Sequence, residues 1–306
     1  MLDIQTSKKK YYDNDFDMQV LNKPDEGNAS IDSSPPCGFA RYKNSCAYDS
    51  ILSIIHAIWM CNRSLWTDYL KNLNNVHLKK IVKDFEKAQI NLKTLNSARD
   101  RLRQSLQKVS NDKFPLGGFA SVSDVLDCIL ATGSVTVKTL LTCAQHDTSA
   151  RYPHLQNTSC MITAGANNIS SINNWMANFW EYSQHKCNIC HDYLQMRNTI
   201  CEVLPILAFH FAGQKPVINS TIMININTVR AAYILRGVIY FGDYHYTSRM
   251  INEVGMVWFH DGIATGNSSV IYEGNANNID MSTCRGKTAS VALYTYHMSH
   301  NIHVEL

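Results

Sequence analysis

No stretch of the chain approaches the roughly 18 consecutive apolar residues that a membrane-crossing helix needs. The first residues, MLDIQTSKKKYY, hold no apolar core of the kind a secretory leader carries, so none is expected. Excess charge is also missing. Lys and Arg number 28 against 25 Asp and Glu, a net of +3, too little to argue for a nucleic acid or an acidic membrane as partner. Cysteine, ten in 306 residues, is too sparse for a dense disulfide framework. The cysteines therefore read as reduced thiols or metal ligands in a cytoplasmic or nuclear protein, and the Asn-x-Ser/Thr sequons as chance matches. What is present is a 45% hydrophobic content, enough for a sizeable core in one large domain or two.

Residues 1–35 are polar, rich in Asp, Asn, Ser and Lys, and run into Pro35-Pro36. They read as a mostly disordered tail or a lost linker to something upstream, in which Lys8-Lys9-Lys10 is a solvated run. The text then changes. Residues 38–59 read GFARYKNSCAYDSILSIIHAIW. Ile51, Leu52, Ile54, Ile55, Ile58 and Trp59 recur at helical spacing, so a buried helix is expected to start at Cys46, with Ser45 or Asn44 as its cap. A thiol there lies at the positive end of the helix dipole, which favours the thiolate. The free N–H groups of the first turn can also receive an oxyanion. Against this stands the plain alternative that an unpaired cysteine is a small buried hydrophobe.

A cysteine nucleophile needs a base and a group to orient it. Residues 238–263, VIYFGDYHYTSRMINEVGMVWFHDGI, supply both. One strand is expected to run through Val238 and Tyr240 and on past His245. Asn252-Glu253-Val254-Gly255 forms a turn, and Met256 to His260 return. That hairpin brings His245 near Asp261, as an orienting carboxylate requires. Alternation turns His260 to the opposite face. His210, on an apolar strand, reads as a satisfied core histidine.

Between these stretches the pattern is helical first. Residues 64–75 form a short helix or loop. Residues 77–110 form one long helix, with Ile81, Val82, Phe85, Leu92, Leu95, Leu102 and Leu106 on its stripe, and 121–131 form a helix capped by Ser121 or Ser123. From Thr136 the period becomes two. Two pairs with a two-residue gap follow, Cys143 with His146 and Cys187 with Cys190. Each has the knuckle spacing that turns both ligands to one metal. Three thiols and an imidazole suit a closed, tetrahedral zinc site, a staple rather than a catalytic centre. His185, His191, Cys160 and Cys201 are competing ligands, and two unrelated pairs are the alternative. Ser170–Tyr182 reads as a capped helix and residues 199–211 as two strands broken at Pro205. Strands follow through 220–241, then a Gly/Asn/Ser loop over 264–275 and a last strand over 289–298. The class is α+β with a cleft between halves.

The motifs carry a resemblance. Gly38-Phe39, Cys46, Asp49-Ser50 and Ile51-Leu52 resemble the Cys box of the ubiquitin-specific proteases. Gly242, His245-Tyr246-Thr247-Ser248, Trp258 and Asp261-Gly262 resemble their His box. The order Cys, His, Asp is that of papain-like cysteine proteases. Asp49 in the Cys box also resembles the SUMO-specific isopeptidase branch of the superfamily. The resemblance spans residues 37–298, and the two boxes are its specific part. It implies a thumb (36–134), zinc-stapled β fingers (135–204) and an antiparallel β palm (205–306). It also implies hydrolysis of the bond after the C-terminal Gly-Gly of ubiquitin, by a monomer, with Cys46 as nucleophile, His245 as base and Asp261 as its orienter. The family's oxyanion-holding Asn, five residues before the nucleophile, is Arg41 here. Asn44 is the nearest amide and takes that place in this reading. Tyr246 and Trp258 wall the substrate channel or belong to the palm core. Three further readings stay open: a protease for SUMO or another ubiquitin-like modifier, a non-catalytic modifier-binding module, and a transferase using the same triad types.

Overall fold

The computed structural model describes residues 35–89, 92–146, 155–164, 169–265 and 269–297. The expected tail, apart from Pro35, and the end of the expected last strand lie outside the described residues.

Helix α1 (Cys46–Cys61) is buried on nearly every side, because its Ile, Leu and Trp residues are joined by small Ser and Ala. Ser45 sits at its cap position but makes no capping bond, since its hydroxyl donates to Asp49 Oδ2 (2.6 Å). Helix α2 (Arg63–Asn72) is capped by the Asn62 side chain, and α3 (Val76–Ala88) by Asn75, which takes the N–H groups of His77 and Leu78. Helix α4 (Leu92–Gln107) follows. The single helix expected over 77–110 is thus two helices packed on each other. One straight helix of that length would reach roughly 50 Å. Folding back lets Ile81, Val82 and Phe85 of α3 and Leu95, Leu102 and Leu106 of α4 enter one core. Helix α5 (Val122–Ile129) starts as expected, with Ser121 accepting from the Ser123 N–H.

Strands β1 (Val137–Thr142), β2 (Leu155–Asn157) and β3 (Met161–Thr163) follow. Next come helix α6 (Ile172–Asn178, capped by Ser171), β4 (Trp180–Lys186) and β5 (Tyr193–Ile200). The rest is β: β6 (Ile206–His210), β7 (Thr221–Ile226), β8 (Val229–Gly242), β9 (His245–Ile251), β10 (Met256–His260), β11 (Ile271–Asn275), β12 (Thr283–Cys284) and β13 (Lys287–Tyr296). Two sheets result. A four-stranded antiparallel sheet has the order β2-β1-β5-β4. A nine-stranded sheet runs β11-β10-β9-β8-β13-β6-β3, with β7 on β8 and β12 on β13. Strand β3 joins the large sheet by parallel pairing with β6, although its neighbours in sequence build the small one.

Two expectations change around the large sheet. The strand expected to run from Val238 past His245 is two strands, β8 and β9, joined by Asp243-Tyr244. Both turn residues are left-handed (φ 52° and 55°), which matches the twist of a two-residue hairpin. Residues 271–275, read as loop from their composition, form β11 and pair with β10 at the sheet edge. Helix α1 packs on β8 and β9, so closely that a side-chain carbon at Gly237 would lie 2.6 Å from Ile54.

Candidate active site and metal cluster

Cys46 is the first residue of α1 and His245 the first of β9, and the packing of α1 on β9 brings them together. The thiol is buried, with 7% of its surface exposed. It is hydrogen-bonded to the His245 side chain and to the Tyr246 backbone N–H. Burial pushes the thiol up. The His245 hydrogen bond, the Tyr246 N–H and the imidazole charge together outweigh burial and hold it below its ordinary value. On the far side of the ring, His245 Nε2 lies 2.8 Å from Asp261 Oδ1, which leaves Nδ1 for the sulfur. The bonds to Asp261 and Cys46 raise His245 to about 9 against the cost of burial. Asp261, just past the end of β10, is lowered to about 2. Burial opposes this, but the His245 bond and the N–H groups of Ile263 and Ala264 prevail. The arrangement favours thiolate and imidazolium over the neutral pair, with a carboxylate fixing the ring.

The loop entering Cys46 is clamped from α4, by residues that the sequence reading passes over. Arg99 Nη1 donates to Asp49 Oδ1 (2.9 Å) and to the Ala40 carbonyl. Arg103, one helical turn on, donates to the carbonyls of Tyr42 (3.0 Å) and Lys43 (2.6 Å). Inside the loop, the Tyr42 N–H donates to Ser45 Oγ (2.9 Å). The i, i+4 spacing of Arg99 and Arg103 is a visible signal, but on an exposed helix face the same spacing is ordinary.

The other expected residues fall in different places. Asn44, left-handed at φ 57°, donates Nδ2 to the Gly117 carbonyl (2.8 Å), which uses one of its two amide hydrogens. Tyr246 is half-buried, packs its ring on Phe241, and is bonded to the Val122 N–H and the Ser121 hydroxyl at the start of α5. Trp258 lies in the main core beside Tyr272, with 5% exposed. His260 Nε2 accepts from the Phe39 N–H (3.1 Å). A side chain at Gly38 would run into the His260 ring, so this glycine lets the segment before the Cys loop cross the end of β10. His210 is not the satisfied core histidine expected: it is half-buried, and its Nδ1 has no hydrogen-bond partner.

Cys143, His146, Cys187 and Cys190 converge at the tip of the small sheet, their ligand atoms all within 4.8 Å of one another. Cys143 Sγ lies 3.5 Å from Cys190 Sγ and 3.6 Å from His146 Nδ1. Cys187 Sγ lies 3.8 Å from the same nitrogen. Four ligands at tetrahedral zinc distances would stand about 3.8 Å apart for S···S and about 3.6 Å for S···N. The N–H groups of Gln145 and Ile189 donate to Cys143 and Cys187 (3.4 Å each), the arrangement that supports thiolate charge in a knuckle. The residues fit a metal ion. The competing ligands stand apart from this group: Cys160 is fully buried in the main core, Cys201 bonds toward the Thr199 carbonyl, and His185 and His191 are exposed.

No protein-family model and no curated protein matches the sequence. Solved structures do match. A chain of the SAGA deubiquitinating module Ubp8/Sgf11/Sus1/Sgf73 bound to monoubiquitin aligns with a TM-score of 0.54 and 12% identity. The match covers 88% of this chain and 73% of that one. The same module bound to ubiquitin aldehyde gives 0.53 at 12% identity, over 86% and 70%. The yeast module with an Sgf73 variant gives 0.50 at 14%, over 86% and 68%. The chain has the fold of a ubiquitin-specific protease. At such identity the likeness is one of fold. Asp49, the residue that suggested the SUMO-specific branch, has a local reason to be acidic in its ion pair with Arg99. Within the ubiquitin-specific protease fold of this chain, among the described residues, no helix is long and apolar enough to cross a membrane.

Proposed function

We propose that the chain is a deubiquitinase that hydrolyses the isopeptide or peptide bond after the C-terminal Gly-Gly of ubiquitin. The observation that carries this reading is the continuous hydrogen-bonded chain Cys46–His245–Asp261, on the fold of a protease family. In this reading Cys46 attacks the carbonyl carbon as a thiolate. His245, protonated in the resting pair, gives its proton to the leaving lysine amine as the tetrahedral intermediate collapses to the thioester. It then takes a proton from the water that hydrolyses the thioester. Asp261 holds the ring's tautomer and balances the imidazolium. The backbone N–H of Cys46 and the remaining amide hydrogen of Asn44 receive the oxyanion.

Helices α1–α5 serve as thumb, the four-stranded sheet as fingers and the nine-stranded sheet as palm. The globular body of ubiquitin rests on fingers and palm, and Tyr246 flanks the channel for its tail with Trp258 behind. The cluster at the tip of the fingers holds zinc, which supplies a structural crosslink between β1 and the β4–β5 turn. A four-ligand thiolate and imidazole set leaves no open position for chemistry.

A panel of propargyl-tagged ubiquitin, SUMO and other modifiers tests the reading. Ubiquitin is expected to form a covalent adduct with Cys46 that Cys46→Ser abolishes. An adduct with SUMO alone would transfer the activity to that modifier. Binding without any adduct would make the chain a non-catalytic receptor.

A further inference from the structure

Helices α3 and α4 leave a cavity of about 420 Å³ between them, within the range of about 300–1,000 Å³ that ligand pockets occupy. Its floor is apolar: Ile81 of α3 and Ala98 and Leu102 of α4 line it and are buried. Its rim is basic. Lys80, Lys83 and Lys87, spaced to share one stripe of α3, are exposed there, and Arg101 joins them from α4. Against these four cations the lining holds one carboxylate, Asp84, which Arg101 takes at 2.7 Å. Among the described residues, none of the three lysines pairs with a carboxylate. Glu86, the other acidic residue of α3, is tied instead to Lys71 of α2 (3.1 Å). His77 also lines the cavity, its Nδ1 3.2 Å from Ser105 Oγ. Burial and the Lys80 charge hold this imidazole below its ordinary value, so it stays neutral and leaves the excess of positive charge to the rim.

We propose that this groove docks an acidic segment of a partner protein, with carboxylates on the lysine rim and an apolar side chain in the recess between the helices. Charge complementarity selects the occupant. Opposite charges at the rim steer the encounter and fix the register, and the recess supplies the apolar burial that holds the segment. A membrane surface fits less well. The apolar residues of the groove are recessed, and none of the large exposed hydrophobic residues lines it, whereas insertion needs an apolar face that protrudes. A nucleic acid fits less well too. Asp84 stands among the lysines, where a continuous row of phosphates would meet it, while the spaced carboxylates of a peptide can step past it. The groove is separate from the nucleophile. Helix α4 gives Arg99 and Arg103 to the loop before Cys46, and Ala98, Arg101 and Leu102 to the groove. The proposal does not depend on the protease reading, because no residue of the groove belongs to that site.

The test pans a display library of random peptides on the wild-type full chain and measures the selected peptides, dye-labelled, by fluorescence polarisation. The selected peptides are expected to share several Asp or Glu around one large apolar residue. Their affinity is expected to fall at least tenfold for the double variant Lys83→Glu with Lys87→Glu, and severalfold for wild type as salt rises from about 50 to about 300 mM. Alanine at the apolar position of the peptide is expected to weaken binding at least tenfold. Thermal unfolding checks that the double variant folds, and Lys83→Ala with Lys87→Ala, a milder change at the same exposed positions, replaces it if it does not. Peptides without an acidic bias, acidic peptides that bind the lysine variants as tightly as wild type, or a library that yields no binder would overturn the proposal. Single-stranded DNA or phosphatidylserine vesicles that outcompete the peptides on wild type, and lose their binding in the lysine variants, would assign the groove to that class and also overturn it.

Discussion

Arg99 Nη1 stands 2.9 Å from Asp49 Oδ1, with both side chains 3% exposed. The pair joins α4 to the first turn of α1, and the same guanidinium holds the Ala40 carbonyl. Burial lifts Asp49 to about 6, with Arg99 and the Ser45 hydroxyl pulling the other way. The loop that delivers Cys46 is therefore fixed by a helix that begins some 46 residues later in the chain.

Breaking this pair from one side leaves a buried charge without a partner, a loss of about 3–5 kcal/mol. Arg99→Leu is expected to lower the melting temperature by about 10 °C. Replacing both partners, Arg99→Leu with Asp49→Leu, is expected to recover most of it. Thermal unfolding of the three variants checks this, and equal losses in the single and double variants would remove the pair from the account.

Substituting His245 by Ala is expected to reduce hydrolysis of a fluorogenic ubiquitin amide by about 10²–10⁴-fold, the range of a lost general acid–base, with the fold intact by circular dichroism. Asn44→Ala is expected to cost about 10²-fold in kcat if its second amide hydrogen serves the oxyanion. A near wild-type kcat for Asn44→Ala would confine Asn44 to its bond with Gly117.

The Asp261–His245 bond also sets a pH dependence of stability. His245 is raised from 6.5 to about 9 in the folded chain, so its contribution is full below pH 6.5 and is lost as pH rises toward 9. Asp261 is lowered from 3.8 to about 2, so its contribution is full above pH 3.8 and is lost as pH falls toward 2. The melting-temperature gap between wild type and Asp261→Asn is expected to be widest between pH 4 and 6.5 and to narrow toward pH 9. A gap that widened with pH would contradict the raised histidine.

Metal content gives a further check. One zinc per chain is expected by elemental analysis, released by a strong chelator with loss of protection from hydrogen exchange in β1, β4 and β5. Cys187→Ser is expected to lose the ion and the protection together, while His146→Cys is expected to retain both, because a fourth thiolate suits zinc equally. Full protection after complete metal removal would leave the cluster without a structural part.

Much of the site is written in local patterns. Cys46 opens an apolar helix whose period is visible in the text, and the two Cys/His pairs announce themselves by a two-residue gap. His245 and Asp261 are near enough in sequence for one β excursion to bring them together. Such signals survive because they depend on neighbours within a few residues. The same reasoning made one helix of 77–110 and ran one strand through Asp243-Tyr244. A fold-back and a left-handed turn without glycine leave weak marks in a periodic pattern. What only the tertiary structure decided is which distant groups meet: Arg99 with Asp49, Arg236 with Cys61, Gly38 under His260, and Asn44 with Gly117. The sequence alone determined which residue types could do chemistry and roughly where some elements begin, α1 and α5 among them. Their partners were chosen by packing α1 between the helices and the large sheet, because a hydrogen bond or ion pair across 50–200 residues leaves no periodicity to read.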